Sequence, residues 1–355
     1  MQAVFTSQLK DYLGQAVELR GWVANLRSSG KIWFLELRDG QGFVQAVVDE
    51  AQAGAAALKT CAELTLESSV VVTGTPAKHP KRDEYELKAT SVKAVQIAEE
   101  YPIGKKEHGP DFLLDNRHLW LRSPKQWAIQ RVRNTVINAT YEYLNQQGFI
   151  KIDAPILTPT SCEGTTTLFQ IDYFGEPAYL TQSGQLYLEA AIASWGRVFD
   201  FGPAFRAEKS KTRRHLTEFW MMDAEAAFVE HEENLKIQEG LISHVVARVL
   251  ELNQAELGLL EREQRILERV KPPFYRLTHQ EAVAKLKERG SNIGEDDDLG
   301  GDDETLLTQL YDKPIFVAKY PAKVKAFYMK RDPADPTRVL NADLLAPEGY
   351  GEIIG

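Results

Sequence analysis

Along the first hundred residues apolar and polar side chains alternate in short runs. AVELRGWVANLR, KIWFLELRDG, GFVQAVVDE, SSVVVTGTPAK and YELKATSVKAVQIA follow one another, parted by Gly, Asp and Ser. Alternation with a period of two predicts half-buried strands, and turn signals at this spacing predict a small barrel or sandwich. LRDGQGF reads as a turn between two of them. The Ala-rich AQAGAAALKTCAEL has the composition of a helix and falls between the third and fourth runs.

Five strands with a helix between the third and fourth is the layout of an OB-fold, a barrel that commonly binds oligonucleotides. From Glu99 to about Pro124 the periodicity fades while Gly, Pro and charge accumulate, which predicts a hinge. Beyond it the apolar spacing changes. Trp127, Ile129, Val132, Val136, Ile137, Tyr141 and Leu144 recur at i, i+3, i+4, with Gly148 as a stop, predicting an amphipathic helix. FIKIDAPILTPT reads as a strand broken by Pro155 and Pro159, GEPAYLTQSGQLYLEAAIASWG as strand, turn and helix, and RVFDFGPAFRAE and EFWMMDAEAAF as strands flanking the polar loop KSKTRRHLT. NLKIQEGLISHVVARVLEL is a second long helix, and PIFVAKYPAKVKAFYM and GYGEIIG read as strands. Residues 291–304 hold seven acids among glycines and read as a solvated loop rather than a metal site. The expected division is residues 1–98, a linker over 99–124, and a second domain over 125–355. The fold class expected is α+β, an N-terminal five-stranded OB-fold β-barrel followed by an antiparallel β-sheet domain flanked by helices.

Composition narrows the choices. With 43% apolar and 26% charged residues over 355 positions the chain can bury sizeable cores. No apolar run is long enough to span a membrane and the N-terminus carries no export signal, which predicts a cytosolic protein. Cys61 and Cys162 fit neither a zinc site nor a disulfide framework. A net charge of −9 argues against indiscriminate binding of nucleic acid, so neither DNA nor a membrane is an expected partner. Met1 to Ala98 carries 11 Lys and Arg against 11 Asp and Glu, so the whole excess of acid falls on the remainder.

Candidate chemistry gathers at one place. No P-loop and no GxGxxG is present, yet FRAEKSKTRRHLTEF packs Arg206, Glu208, Lys209, Lys211, Arg213, Arg214 and His215 into ten residues with a local charge of +4. If the flanking segments pair as a hairpin, Arg206 and Glu208, two apart on one strand, point to one face. A bidentate arginine on an α-phosphate, a cationic lid on the outer phosphates and Phe219 stacked on a base would make an ATP site. A plain solvated hairpin loop is the other reading of the same run.

The context resembles a known family. FRAEKSKTRRHLTEF is similar to motif 2 of the class II aminoacyl-tRNA synthetases in its subclass IIb form, and GFIKIDAPILTP to motif 1 with its central Pro155. EYPIGKKEHGPDFLLDNRHLWLR, CEGTTTLF, YLTQSGQLYLE, VKAFYM and LLAPEGYGEIIG resemble the asparaginyl and aspartyl members, and together these pieces cover most of the chain in the family's order. The resemblance implies the cofactors ATP and Mg²⁺. It implies that Arg206 binds the α-phosphate and the substrate carboxylate, Glu208 the adenine side, Arg214 and His215 the outer phosphates, and Phe219 the adenine ring. Glu352 would hold the Mg²⁺. Glu163, Ser183 and Gln185 would surround the amino acid, with Glu163 accepting from its ammonium group. Loop and helix-cap duty is the plainer role for Glu163 and Gln185.

The side chain selected is legible by the same route. Aspartyl members typically show QSPQxYK, whose lysine meets the substrate carboxylate, whereas here Leu188 stands at the lysine position and Gly184 at the proline. A pocket without that cation suits a neutral amide. Asparaginyl members often carry VEPE after motif 2, and here the segment is Met222, Asp223, Ala224, Glu225, so Asp223 would accept from the amide through water, though it matches the aspartyl pattern as well. The expectation is activation of L-asparagine to an adenylate and transfer to tRNA(Asn), with an aspartate ligase or a non-catalytic tRNA-binding remnant as alternatives. Arg27, Phe34 and Gln45 recur at the spacing of the family's anticodon readers; taken alone Phe34 in WFLEL reads as core, with Trp33, on the other face, the better core candidate. The motif 1 helix and strand imply a homodimer. Motif 3 and the segment after GEIIG are absent, so the expectation is a C-terminally incomplete catalytic domain impaired in adenylation.

Overall fold

A computed structural model of the chain describes residues 1–104, 106–161, 168–209 and 216–355. It divides into two compact units, Met1–Trp120 and Leu121–Gly355. In the first, β1 (Gln2–Val4) runs parallel to the start of β2 (Val17–Ser29), and β3 (Ile32–Arg38), β4 (Phe43–Asp49), β5 (Ser69–Lys78) and β6 (Tyr85–Gln96) complete the barrel. The ladder runs β2–β3–β4–β6–β5 and closes by pairing β5 back onto β2, which leaves no open edge among the five. Helix α1 (Glu50–Glu63) enters after β4, its first turn capped by Asp49, whose carboxylate accepts from the Ala51 N–H. This is the OB-fold layout read from the sequence. Alternate residues point inward, so Leu19, Val23, Leu35, Leu37, Ala46, Val48, Val72, Leu87 and Ala89 are fully buried. Each Leu or Val side chain so buried contributes about 1.5–3 kcal/mol.

The segment expected to be a plain hinge contains two short helices, α2 (Pro110–Asp115) and α3 (Arg117–Trp120). The second unit begins with α4 (Pro124–Gln146), capped by Ser123 and followed by Gly148 at φ +79°, a left-handed turn that an L side chain rarely adopts. Leu144 of α4 packs with Phe149 and Phe199. The chain then forms β7 (Ile150–Lys151), β8 (Leu157–Thr158), β9 (Gln170–Tyr173), β10 (Glu176–Leu180), α5 (Gln185–Trp195), β11 (Arg197–Phe205), β12 (Glu218–Ala226) and α6 (His231–Leu252). Helices α7 (Gln254–Leu259) and α8 (Gln264–Leu267) precede β13 (Tyr275–Thr278), α9 (His279–Glu288), α10 (Gly301–Thr308), β14 (Ile315–Ala318), β15 (Ala342–Ala346) and β16 (Gly351–Ile354).

Among the described residues these strands form three ladders: β8–β10–β9, β12–β11–β7 and β13–β14–β15–β16. Most pairs are antiparallel, while β7 joins β11 and β13 joins β14 in parallel. Two expectations need correction. PIFVAKYPAKVKAFYM is a strand only to Ala318, because Lys319 turns left-handed (φ +61°) and Pro321 follows. The acidic stretch 291–304 is docked, not merely solvated: Asp296 meets Arg338 and Lys323, Asp298 meets Lys325, and α10 starts at Gly301.

Candidate functional site

On the barrel, Arg27 and Phe34 are direct partners across the β2–β3 ladder, so their side chains share one face. The Arg27 guanidinium lies 4.0 Å from the Phe34 ring centroid, and its Nη2 donates to the Gln45 carboxamide oxygen at 3.4 Å. The register supplies the third member: Gln45 stands opposite Glu36, two residues from Phe34 on the same face. Phe34 is half-buried and Arg27 exposed. The ring presents a stacking surface beside two hydrogen-bonding groups, while Trp33 packs inward against the barrel core. The three residues spaced for base reading thus come together.

In the second unit the residue-by-residue register of β11 and β12 builds a site. Asp200 faces Asp223, Gly202 faces Met221 and Ala204 faces Phe219; with a period of two, Glu225 and Arg206 extend the same face at its two ends. The strand stops at Phe205, so Arg206 and Glu208 do not share a strand as expected. Arg206 still prolongs the ladder, its N–H donating to the Thr217 carbonyl at 3.0 Å, and its guanidinium lies 5.9 Å from the Phe219 ring. Arg206, Glu208 and Phe219 are all half-buried. Arg214 and His215, and Glu163 at the other end, lie outside the described residues.

A small recess opens on this face, lined by Ser183, Gly184, Asp200, Gly202, Met221 and Asp223 among others. Small residues at 202 and 204 leave the room. The Gly184 N–H donates to Asp223 Oδ2 at 2.7 Å, a bond proline could not make. A Cβ at 184 would stand 3.0 Å from an Asp200 oxygen and 3.1 Å from the Ala154 methyl, so only glycine fits without displacement. The buried Ser183 accepts from the Gln185 N–H at 3.1 Å, and the Gln185 amide donates to Glu189 at 2.9 Å. Leu188, expected beside the substrate, is fully buried in a cluster with Ala191 and Val198 and is not among the lining residues. A lysine ammonium there would need its own buried counter-charge.

Charge in this recess is lopsided. Asp200 is buried and held by Lys151 at 3.2 Å and by the Ala154 N–H at 3.3 Å; Lys151 also meets Asp153. Burial, then the nearby Glu189 and Asp223 carboxylates, push Glu225 up to about 7. Among the described residues, Asp200, Asp223 and Glu225 thus share one face of the two strands, and Lys151 pairs with Asp200. Lys151 and Asp200 escaped sequence reading, although an aspartate inside the apolar strand RVFDFG was a signal.

A second acidic cluster forms on β15 and β16. Leu345 pairs with Glu352, and Asp343, two residues earlier, shares that face. Glu352 keeps contact with solvent, yet surrounding protein, then the Asp343 and Glu304 carboxylates, push it up to about 7. Burial also raises Asp343, against the pull of Lys325, whose ammonium lies 3.2 Å from Asp343 and 3.2 Å from Asp298. Among the described residues no three acids or histidines converge as a closed metal cage. Two neighbouring carboxylates of raised proton affinity fit Mg²⁺, which is usually held by one or two carboxylates together with substrate phosphates. The turn that delivers Glu352 is fixed at Glu348, left-handed at φ +63° and gripped by both guanidinium nitrogens of Arg262, one at 2.8 Å. Asp343 and Arg262 were not singled out from the sequence, since ADLLA looks like any buried strand.

Comparison with known proteins gives the same picture. The family described as tRNA synthetases class II (D, K and N) matches residues 109–355, and the OB-fold nucleic acid binding domain matches residues 17–95. The asparagine–tRNA ligase of Pelotomaculum thermopropionicum is 50% identical over 100% of this chain and 83% of its own length, and that of Symbiobacterium thermophilum 51% identical with the same coverage. The crystal structure of asparaginyl-tRNA synthetase from Pyrococcus horikoshii complexed with asparaginyl-adenylate superposes with a TM-score of 0.93 at 42% identity, covering 99% of this chain and 82% of that one.

Proposed function

The chain belongs to the class II aminoacyl-tRNA synthetases of the aspartate, lysine and asparagine group, and on that footing we propose that it activates L-asparagine with ATP and transfers it to tRNA(Asn). The observation that carries this reading is the single face running from Glu225 and Asp223 to Phe219 and Arg206. It offers an acidic pocket for an amide at one end and a cation beside an aromatic ring for a nucleotide at the other.

Adenylate formation joins a carboxylate to the α-phosphate and releases pyrophosphate. Both reactants are anions, so the site must supply positive charge where negative charge develops. Arg206 does this, bridging the carboxylate and the α-phosphate, while Phe219 stacks on adenine and Glu208 accepts from its exocyclic amine. Arg214 and His215 bind the outer phosphates. Ser183 and Gln185 hold the asparagine backbone, and Glu163 takes its ammonium group. Asp223, reached through water, accepts from the side-chain amide, and Glu225 adds negative charge behind it. Aspartate would bring a further carboxylate beside Asp200, Asp223 and Glu225, so the pocket selects by repulsion as well as by hydrogen bonding. Leu188 acts by keeping a cation out. Glu352 and Asp343 would hold Mg²⁺, which would supply positive charge to the phosphates.

In the barrel, Phe34 stacks on an anticodon base while Arg27 and Gln45 bond its edge, which lets residues 1–98, whose Lys and Arg balance their Asp and Glu, bind RNA. We further propose a homodimer, because Val136 on α4 and Ile150, Ile156 and Leu157 along the following strands are exposed apolar side chains in one motif. Among the described residues no helix is long and apolar enough to cross a membrane. The cytoplasm, where ATP and tRNA are found, is the proposed location.

Binding of non-hydrolysable asparaginyl- and aspartyl-adenylate analogues tests this reading by calorimetry. Tight binding of the first and at least tenfold weaker binding of the second is expected; equal affinities would overturn the assignment of the amide pocket.

A further inference from the structure

The loop from Lys319 to Arg331, between β14 and β15, carries two features that adenylate chemistry does not use. Phe327 is 95% exposed and Tyr328 54%, their rings set edge-to-face with centroids 5.5 Å apart. A folded chain hides phenylalanine where it can, and an aromatic pair turned outward marks a contact surface. The same thirteen residues hold Lys319, Lys323, Lys325, Lys330 and Arg331 and no acid, in a chain of net charge −9. Lys319 pairs with Asp332, Lys323 with Asp296, and Lys330 with Glu230. The Lys323 and Lys330 side chains are 65% and 59% exposed, so these pairs are weak and can be exchanged for a phosphate. The loop is also tied to the acidic edge of the site: Lys325, two residues before Phe327, bonds Asp343, which shares a sheet face with Glu352.

Exposed rings flanked by exposed cations are what single-stranded RNA requires, since every base has a face to stack and every linkage a charge. We propose that Phe327 and Tyr328 form a stacking platform for the unpaired 3′ end of the tRNA, with Lys323 and Lys330 on its phosphates. This rests on the reading of the chain as a tRNA ligase. It adds a contact for the second half-reaction, in which the terminal ribose must approach the adenylate from solvent.

The test uses the full chain and a tRNA(Asn) transcript with 2-aminopurine in place of its terminal adenine, plus a second dye on the anticodon loop to report binding. Stacking quenches 2-aminopurine. Quenching by the unaltered protein, relieved at least severalfold in Phe327→Ala and kept in Phe327→Tyr, is the expected result, with about tenfold weaker binding of an acceptor-stem minihelix to Phe327→Ala. Circular dichroism checks that the variant is folded. RNA that binds, by the anticodon dye, while 2-aminopurine stays equally bright with the unaltered protein and with Phe327→Ala overturns the platform but not the ligase reading. No RNA binding by the unaltered protein removes both. Self-association in sedimentation that disappears in Phe327→Ala assigns the rings to a protein contact and also overturns the platform.

Discussion

The barrel face and the amide pocket solve recognition in opposite ways. Arg27, Phe34 and Gln45 come from three consecutive strands, carry one charge between them and sit at the surface. The pocket draws Lys151, Gly184, Asp200, Asp223 and Glu225 from segments up to 74 positions apart and surrounds several carboxylates with protein. The first needs only a rigid platform, because stacking is tolerant of what lies beneath. The second must hold several partly buried carboxylates close together, which costs stability and is affordable only where the rest of the unit is well packed.

That contrast sets the scale of what substitution should do. The largest effect is expected at Arg206→Ala, where removing the lone described cation beside Phe219 should weaken an adenylate analogue by about 100-fold or more, roughly 3 kcal/mol, in calorimetry. Phe34→Ala should weaken tRNA(Asn) binding by about 1–3 kcal/mol while leaving the adenylate analogue alone, and Phe34→Tyr should restore it. An unaltered tRNA affinity in Phe34→Ala would remove the barrel from anticodon reading.

Titration separates the two regions further, since none of the three barrel-face residues is a carboxylate. Glu225 is raised to about 7, so the folded protein holds that proton more tightly than the unfolded chain does. Stability should therefore fall as pH rises from the ordinary glutamate range towards 7 and then level off. Preference for the asparaginyl over the aspartyl analogue should rise severalfold between pH 6 and 8 as Glu225 ionises, and Glu225→Gln should flatten both trends. Glu352, raised to the same value, should make Mg²⁺-dependent ATP binding stronger over that interval, because proton and metal compete for one carboxylate. A binding curve unchanged between pH 6 and 8 would detach Glu352 from the metal.

The smallest effect is expected at Glu348. Replacement by glycine, which adopts φ +63° freely, should cost less in Mg²⁺-dependent ATP binding than replacement by alanine, by about 1 kcal/mol or less. Equal losses would mean that the Arg262 grip, not backbone conformation, positions the turn.

Legibility followed the range of the interactions. The barrel and its helix could be seen in the alternation because its strands are joined by short turns, whereas Arg27, Phe34 and Gln45 stood out only by resemblance, although Arg27 and Phe34 face each other across one tight hairpin. Arg206 and Phe219 stood out by the local run of charge around them, while Gln185 and Glu352 were visible through motif resemblance alone. Lys151, Asp200 and Asp343 were hidden, since each sits in a segment whose pattern is that of an ordinary strand and takes its meaning from a partner elsewhere: Asp200 from Lys151, Asp343 from Lys325 and Glu352. The acids of residues 291–304 looked solvated for the same reason, their cations lying between 323 and 338.

The order of residues alone determined which stretches alternate, where helices start and stop, and that two units of different charge are joined, because those depend on neighbours a few positions apart. Only the folded arrangement decided which carboxylates share a recess, which lysine balances them and that Leu188 belongs to the core, because electrostatic and packing energies depend on distances that strand pairing creates.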